Sequence, residues 1–170
     1  DGGQALANDI ASLPCLRSLR ITSLLGNIET LSLCTVAGRM TGLQKLDLSH
    51  SKVDSTGATA LATALAQSWT ALVKLDLSEL KVDGGGSVVA ICSSLTALQR
   101  LESLKLSGFL HDRDEFGATT LVSSLSVLTA LHFLDISENV CLARIDVYSI
   151  CSALAKLRRL RRLKIGRAHV

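Results

Sequence analysis

The residues with the most chemistry in their side chains are scattered along the chain, and their spacing argues against an active centre. Gly84-Gly85-Gly86-Ser87 is the nearest approach to a phosphate-binding loop. It follows a strand-like run and opens a helix-like one, as a phosphate site requires, but it lacks the lysine of a G-x-x-x-x-G-K-[ST] loop. His50, His111 and His132 share no spacing that would assemble a ligand set or a triad, so they are expected on the surface. There is no H-E-x-x-H, no metal-spaced Cys/His cluster and no dinucleotide fingerprint. The five cysteines, Cys15, Cys34, Cys92, Cys141 and Cys151, are odd in number and contain no C-x-x-C pair. They read as small apolar core filler. The expectation is a noncatalytic chain with no cofactor, no metal and no small-molecule substrate.

The second chemical feature is charge. Lys156, Arg158, Arg159, Arg161, Arg162, Lys164 and Arg167 follow the last acidic residue, while everything before them carries eleven basic against fifteen acidic residues. The net charge of +3 therefore belongs to one end. Such a run invites nucleic acid or acidic lipid, but no stacking aromatics accompany it, which disfavours nucleic acid. No apolar run approaches the roughly 18 to 20 residues of a membrane span. Unpaired cysteines and the lack of an N-x-[ST] sequon favour a reducing, cytoplasmic setting.

The elements that hold these residues are set by a repeat. Leu72, Leu75 and Leu77 are spaced as L-x-x-L-x-L, and the pattern recurs at Leu16/Leu19/Ile21, Leu43/Leu46/Leu48, Leu101/Leu104/Leu106, Leu131/Leu134/Ile136 and Leu160/Leu163/Ile165. The first leucines of these six copies are 27, 29, 29, 30 and 29 residues apart. A near-constant step of this size decides architecture before local propensity does. Within each copy the alternation after the first leucine has the period of a half-buried strand. The following residues, such as 57–65 with Leu61 and Leu65 on one face, switch to the period of an alanine-rich helix. Gly57, Gly86 and Gly117 mark the turns into the helices, and Asp54, Asp83 and Asp114 stand where a carboxylate caps orphan amides. The stretch Thr22 to Gly42 is two residues short and lacks this helix signature, so its helix is the weakest expectation. Trp69 is expected in the core.

Strand, helix and next strand, joined by right-handed crossovers, stack into an α/β solenoid with a parallel concave sheet and convex helices. One domain is expected over residues 1–164, with five to six repeats cut at both ends. Asp1-Gly2-Gly3 starts inside a repeat, at the same offset to Leu13 and Leu16 as Asp83-Gly84-Gly85 has to Leu95 and Leu98. Residues 165–170, with codons ATC GGA AGA GCA CAC GTC, read as a translated sequencing adapter and are expected to be a non-native tail. Uncapped ends predict self-association of the isolated chain.

These residues resemble the ribonuclease-inhibitor-like class of leucine-rich repeat, in which L-x-x-L-x-L-x-x-N-x-L precedes a G-x-x-x-L helix. The resemblance extends over nearly all of the chain to Lys164. The class carries Asn or Cys at the ninth place, where this chain has Leu24, Ser51, Leu80, Phe109 and Asn139. Only the last matches, so the loops after the strands are expected to be irregular. The resemblance implies a protein-binding arc like the sensing arcs of nucleotide-binding immune receptors or of ribonuclease inhibitors. It also admits a GTPase activator of the Ran-activator type, or a scaffold in a cytoskeletal or ciliary assembly.

Structural roles fall to Leu43, Leu46, Leu48, Leu72, Leu75, Leu77, Leu101, Leu104, Leu106, Leu131, Leu134 and Ile136. The concave face is expected to carry protein binding through Lys45, Asp47, Lys74, Asp76, Lys105, His132, Phe133 and Asp135. On that face Lys45 and Lys74 are expected to offset the stacked aspartates.

Overall fold

The computed structural model describes residues 2–13, 15–22, 27–111 and 113–166. Asp1, Leu24 and residues 167–170, which bear on the expected chain start, one ninth-place residue and the tail, lie outside the described residues.

Because the inward leucines of each copy span only L-x-L, the strands are three residues long. They are β1 (Ser18–Arg20), β2 (Lys45–Asp47), β4 (Lys74–Asp76), β6 (Ser103–Lys105), β7 (Phe133–Asp135) and β8 (Arg162–Lys164). They form one sheet in the order β1-β2-β4-β6-β7-β8, and every pair is parallel. The register matches repeat-equivalent residues, Leu46 to Leu75 to Leu104 to Leu134. A second sheet pairs β3 (Lys52–Val53) with β5 (Lys81–Val82) just after the main strands.

Helices α1 (Gly2–Ala11), α2 (Asn27–Thr35), α3 (Ser55–Gln67), α4 (Gly85–Ser94), α5 (Glu115–Leu125) and α6 (Val147–Ala155) stand between the strands, each packed on the next. The α2 helix forms although its repeat is short: Thr30 and Leu33 are buried on it, and Val36, Ala37 and Met40 bury the 3-10 turn that follows.

The core lies between sheet and helices. All twelve consensus residues from Leu43 to Ile136 are at most 2% exposed, and Trp69 is fully buried among them. Burial of this kind contributes about 1.5 to 3 kcal/mol per leucine. It fades toward the end of the described chain, where Leu163 is 40% and Ile165 49% exposed.

Two of the three expected helix caps are corrected. Asp54 caps α3, its Oδ1 accepting the Gly57 amide at 2.8 Å, but the other two acids do not cap. Gly84, at φ +88°, takes the cap position of α4, and Asp83 faces Lys52 at 3.7 Å. Asp114 turns back to accept the His111 amide.

The loops after the strands are regular, against expectation. His50, Glu79, Gly108 and Glu138, all at the eighth place, share a left-handed φ between 53° and 63°. The amides of these four residues donate to Ser78, Ser107, Ser137 and Gly166 carbonyls of the following turn. A backbone ladder thus does what an asparagine ladder would do. Ninth-place Leu80 and Phe109 are buried as apolar filler, while Asn139 keeps the polar role: its Nδ2 donates to the Leu106, Ile136 and Ser137 carbonyls and its Oδ1 accepts the Leu110 amide. Cys92 and Cys141 are core filler and Cys34 is half-buried, but Cys15 and Cys151 are exposed.

Candidate functional site

The strands present two rows of side chains on the open face of the sheet, because the third and fifth residues of each copy alternate with the buried leucines. The fifth row reads Arg20, Asp47, Asp76, Lys105, Asp135 and Lys164 in strand order. It is neutralised in pairs. Arg20 Nε lies 2.8 Å from Asp47 Oδ2, Lys105 Nζ 2.9 Å from Asp76 Oδ2, and Lys164 Nζ 3.4 Å from Asp135 Oδ2.

The other oxygen of each aspartate closes its own loop. The Ser49, Ser78 and Ser137 amides donate to the Oδ1 of Asp47, Asp76 and Asp135, and the Ser49 and Ser137 hydroxyls donate to the same atoms. Where Lys105 replaces the acid, the Ser107 hydroxyl turns to the Ser137 hydroxyl instead, at 3.1 Å. The aspartates expected to face a partner are therefore committed to the fold, and their balancing cations are row neighbours rather than Lys45 and Lys74.

The third row is different. It runs Ser18, Lys45, Lys74, Ser103, Phe133 and Arg162. Lys45, Lys74 and Arg162 are exposed, and among the described residues no carboxylate lies within ion-pair reach of them. Phe133 is half-buried beneath the Arg162 guanidinium, whose carbon sits 4.9 Å from the ring centroid. A groove of about 500 Å³ runs over this face across β1, β2, β4 and β6, lined by residues of both rows, Lys45, Lys74 and Ser103 of the third and Asp47, Asp76 and Lys105 of the fifth among them. His132 precedes β7, half-buried, and its carbonyl accepts the Arg161 and Arg162 amides.

Comparison with solved structures places the architecture. The chain is similar to the C-terminal domain of tropomodulin from Caenorhabditis elegans, with TM-score 0.72 and 12% identity over 94% of this chain and 93% of that one. It is also similar to actin-binding site 2 of leiomodin-1, with TM-score 0.60 and 14% identity over 94% of this chain and 91% of that one. The fold is a leucine-rich-repeat fold. No protein-family model matches the sequence, and neither does any curated protein.

On this leucine-rich-repeat scaffold the histidines stay apart. His50 is exposed and meets Glu79 at 3.1 Å, His111 is exposed, and His132 is held at the sheet. Among the described residues no group of His, Cys, Asp and Glu could hold a metal ion. None of their helices is long and apolar enough to cross a membrane.

The sequence reading missed Arg20, Arg162 and Lys164 as members of the inner face. The signal was present: counting the first leucine as one, Arg20 is the fifth residue of the copy that starts at Leu16, and Arg162 and Lys164 are the third and fifth of the copy that starts at Leu160. The outer face also carries unassigned aromatics, for Phe116 and Tyr148, each the second residue of its helix, are 84% and 83% exposed.

Proposed function

We propose that this chain is a noncatalytic protein-binding module that takes its partner on the open face of the sheet, with actin as the partner to test first. The observation that carries the reading is the division of labour between the two rows. Side chains of the fifth row are consumed by ion pairs and loop closure, whereas Lys45, Lys74 and Ser103 line a groove without serving the fold. Solenoids of this kind use such an inner arc to grip other proteins. Actin is suggested by the likeness to leiomodin-1, whose matching region is an actin-binding site.

A second reading places the partner on the outer edge, favoured by exposed Phe116 and Tyr148, since aromatics are enriched among binding hot spots. Co-sedimentation with filamentous actin, and titration with monomeric actin, separates the two. Ser103→Trp fills the inner groove, and Phe116→Ser/Tyr148→Ser strips the outer edge. The inner reading requires the first variant to lose actin and the second to keep it, each with an unchanged melting curve.

A further inference from the structure

We infer that the third row recognises an acidic, extended segment of a partner protein, with carboxylates about four residues apart. The inference rests on the inner-face reading and adds the chemistry of the partner. Lys45 and Lys74 are register neighbours on β2 and β4, so their backbones are about 4.8 Å apart and both ammonium groups reach a single carboxylate. Arg162 stands three strands beyond Lys74, about 14 Å along the row, a distance that four residues of extended chain cover. Its guanidinium is held over the Phe133 ring rather than swinging freely, which orients a planar fork toward the open face.

Between these two basic points Ser103 is small and leaves room for the segment's backbone. The flanking fifth row cancels its own charge in pairs, so the attraction that remains is confined to one line of side chains. A line of this width suits a single extended chain.

A nucleic acid fits less well. Its bases would need an aromatic platform, and on this row the one aromatic face is already covered by Arg162. The carboxylates of Asp47, Asp76 and Asp135, about 7 Å from the third row, also oppose a continuous phosphate chain more than they oppose widely spaced carboxylates. The groove between α2 and α3, about 560 Å³, is lined by residues such as Thr59, Ala60 and Thr63 and carries no charged side chain among the described residues, so an acidic segment has no counterpart among them.

The test is an amide-detected NMR titration of the isotope-labelled chain with a Gly/Ser decapeptide carrying two glutamates four residues apart. The same peptide with glutamines and a thymidine oligonucleotide are run alongside. The glutamate peptide is expected to shift the amides of Lys45, Lys74, Ser103 and Arg162. Lys45→Gln/Lys74→Gln is expected to weaken it at least about fivefold, while Arg158→Gln/Arg159→Gln changes it less than about twofold. Preserved spectral dispersion shows that each variant is folded.

The inference is overturned if the peptide does not bind, if the lysine variant binds equally well, or if shifts gather at Arg158 and Arg159. Tighter binding of the oligonucleotide through the same four residues overturns it too. The underlying inner-face reading fails by a different result, retention of actin by Ser103→Trp, so the two failures are distinguishable.

Discussion

Lys105 reaches back to Asp76 on the preceding strand, Nζ to Oδ2 at 2.9 Å, although Asp135 lies in register beside it on the following strand. This choice leaves Asp135 to Lys164 and makes the fifth row a set of closed pairs. Lys105→Glu would put four carboxylates, at 47, 76, 105 and 135, in consecutive register positions. The substitution is expected to cost about 1 kcal/mol, since cross-strand like charges destabilise and Lys105 is partly exposed. Denaturant titrations at low and high salt check it: the loss must shrink as salt screens the repulsion.

Asn139 is buried at the ninth place, and its side chain bonds four backbone groups of two adjacent turns. The Leu106 and Ser137 carbonyls keep the Phe109 and Gly108 amides, but Asn139→Ala strands the Leu110 amide and the Ile136 carbonyl, each at a cost of about 1 to 3 kcal/mol before relaxation. A total loss of about 3 kcal/mol is expected, measured by thermal or urea unfolding. A loss below the scatter of surface substitutions would show that water takes over the bonds.

That residue also marks how far the sequence carried. The leucine spacing predicted every main strand and the register between them, because burial of one face leaves a three-residue strand no other alignment. It did not predict regular loops, because the ladder that satisfies them runs through backbone amides of His50, Glu79, Gly108 and Glu138 and leaves no trace in side-chain identity. The functional face was legible as two rows. Which row is spent on the fold was not, since the serine two places after Asp47, Asp76 and Asp135 reads equally well as surface or as a turn-closing donor.

Gly86, the second residue of α4, and Gly117, the third of α5, serve different ends; the place of Gly117 is taken in α4 by buried Ser87, one residue later than the repeat spacing predicts. A Cβ at Gly117 would meet Val88 Cγ1 at 2.6 Å, where α5 crosses the buried face of α4, whereas one at Gly86 would meet nothing within 4 Å. Gly117→Ala is therefore expected to destabilise by about 1 to 3 kcal/mol through overpacking. Gly86→Ala is expected to stabilise by about 0.5 to 1 kcal/mol, because it removes unfolded-state freedom in a helix. Opposite signs in paired melting curves are the required outcome.

Burial, reinforced by Asp114 and Cys141, pushes the Cys92 thiol from 9.0 up to about 12. The unfolded chain ionises this thiol first, so the folded state holds the extra proton between those values. The stability that Cys92 contributes is thus complete below pH 9 and is lost as pH rises toward 12. Cys92→Ala is expected to flatten the fall of unfolding free energy over that range by up to about 1.4 kcal/mol per pH unit. A thiol reagent at neutral pH is expected to label exposed Cys15 and Cys151 quickly and Cys92 only on unfolding.

The central claim is that the groove side chains of the third row, which the fold does not use, are the ones a protein partner uses. The direct measurement is the dissociation constant for actin of the wild type, of Ser103→Trp and of Phe116→Ser/Tyr148→Ser. The account predicts a loss of affinity of about tenfold or more for the inner substitution and none for the outer pair. Equal affinities for the wild type and Ser103→Trp, or no actin binding by the wild type at all, would contradict it.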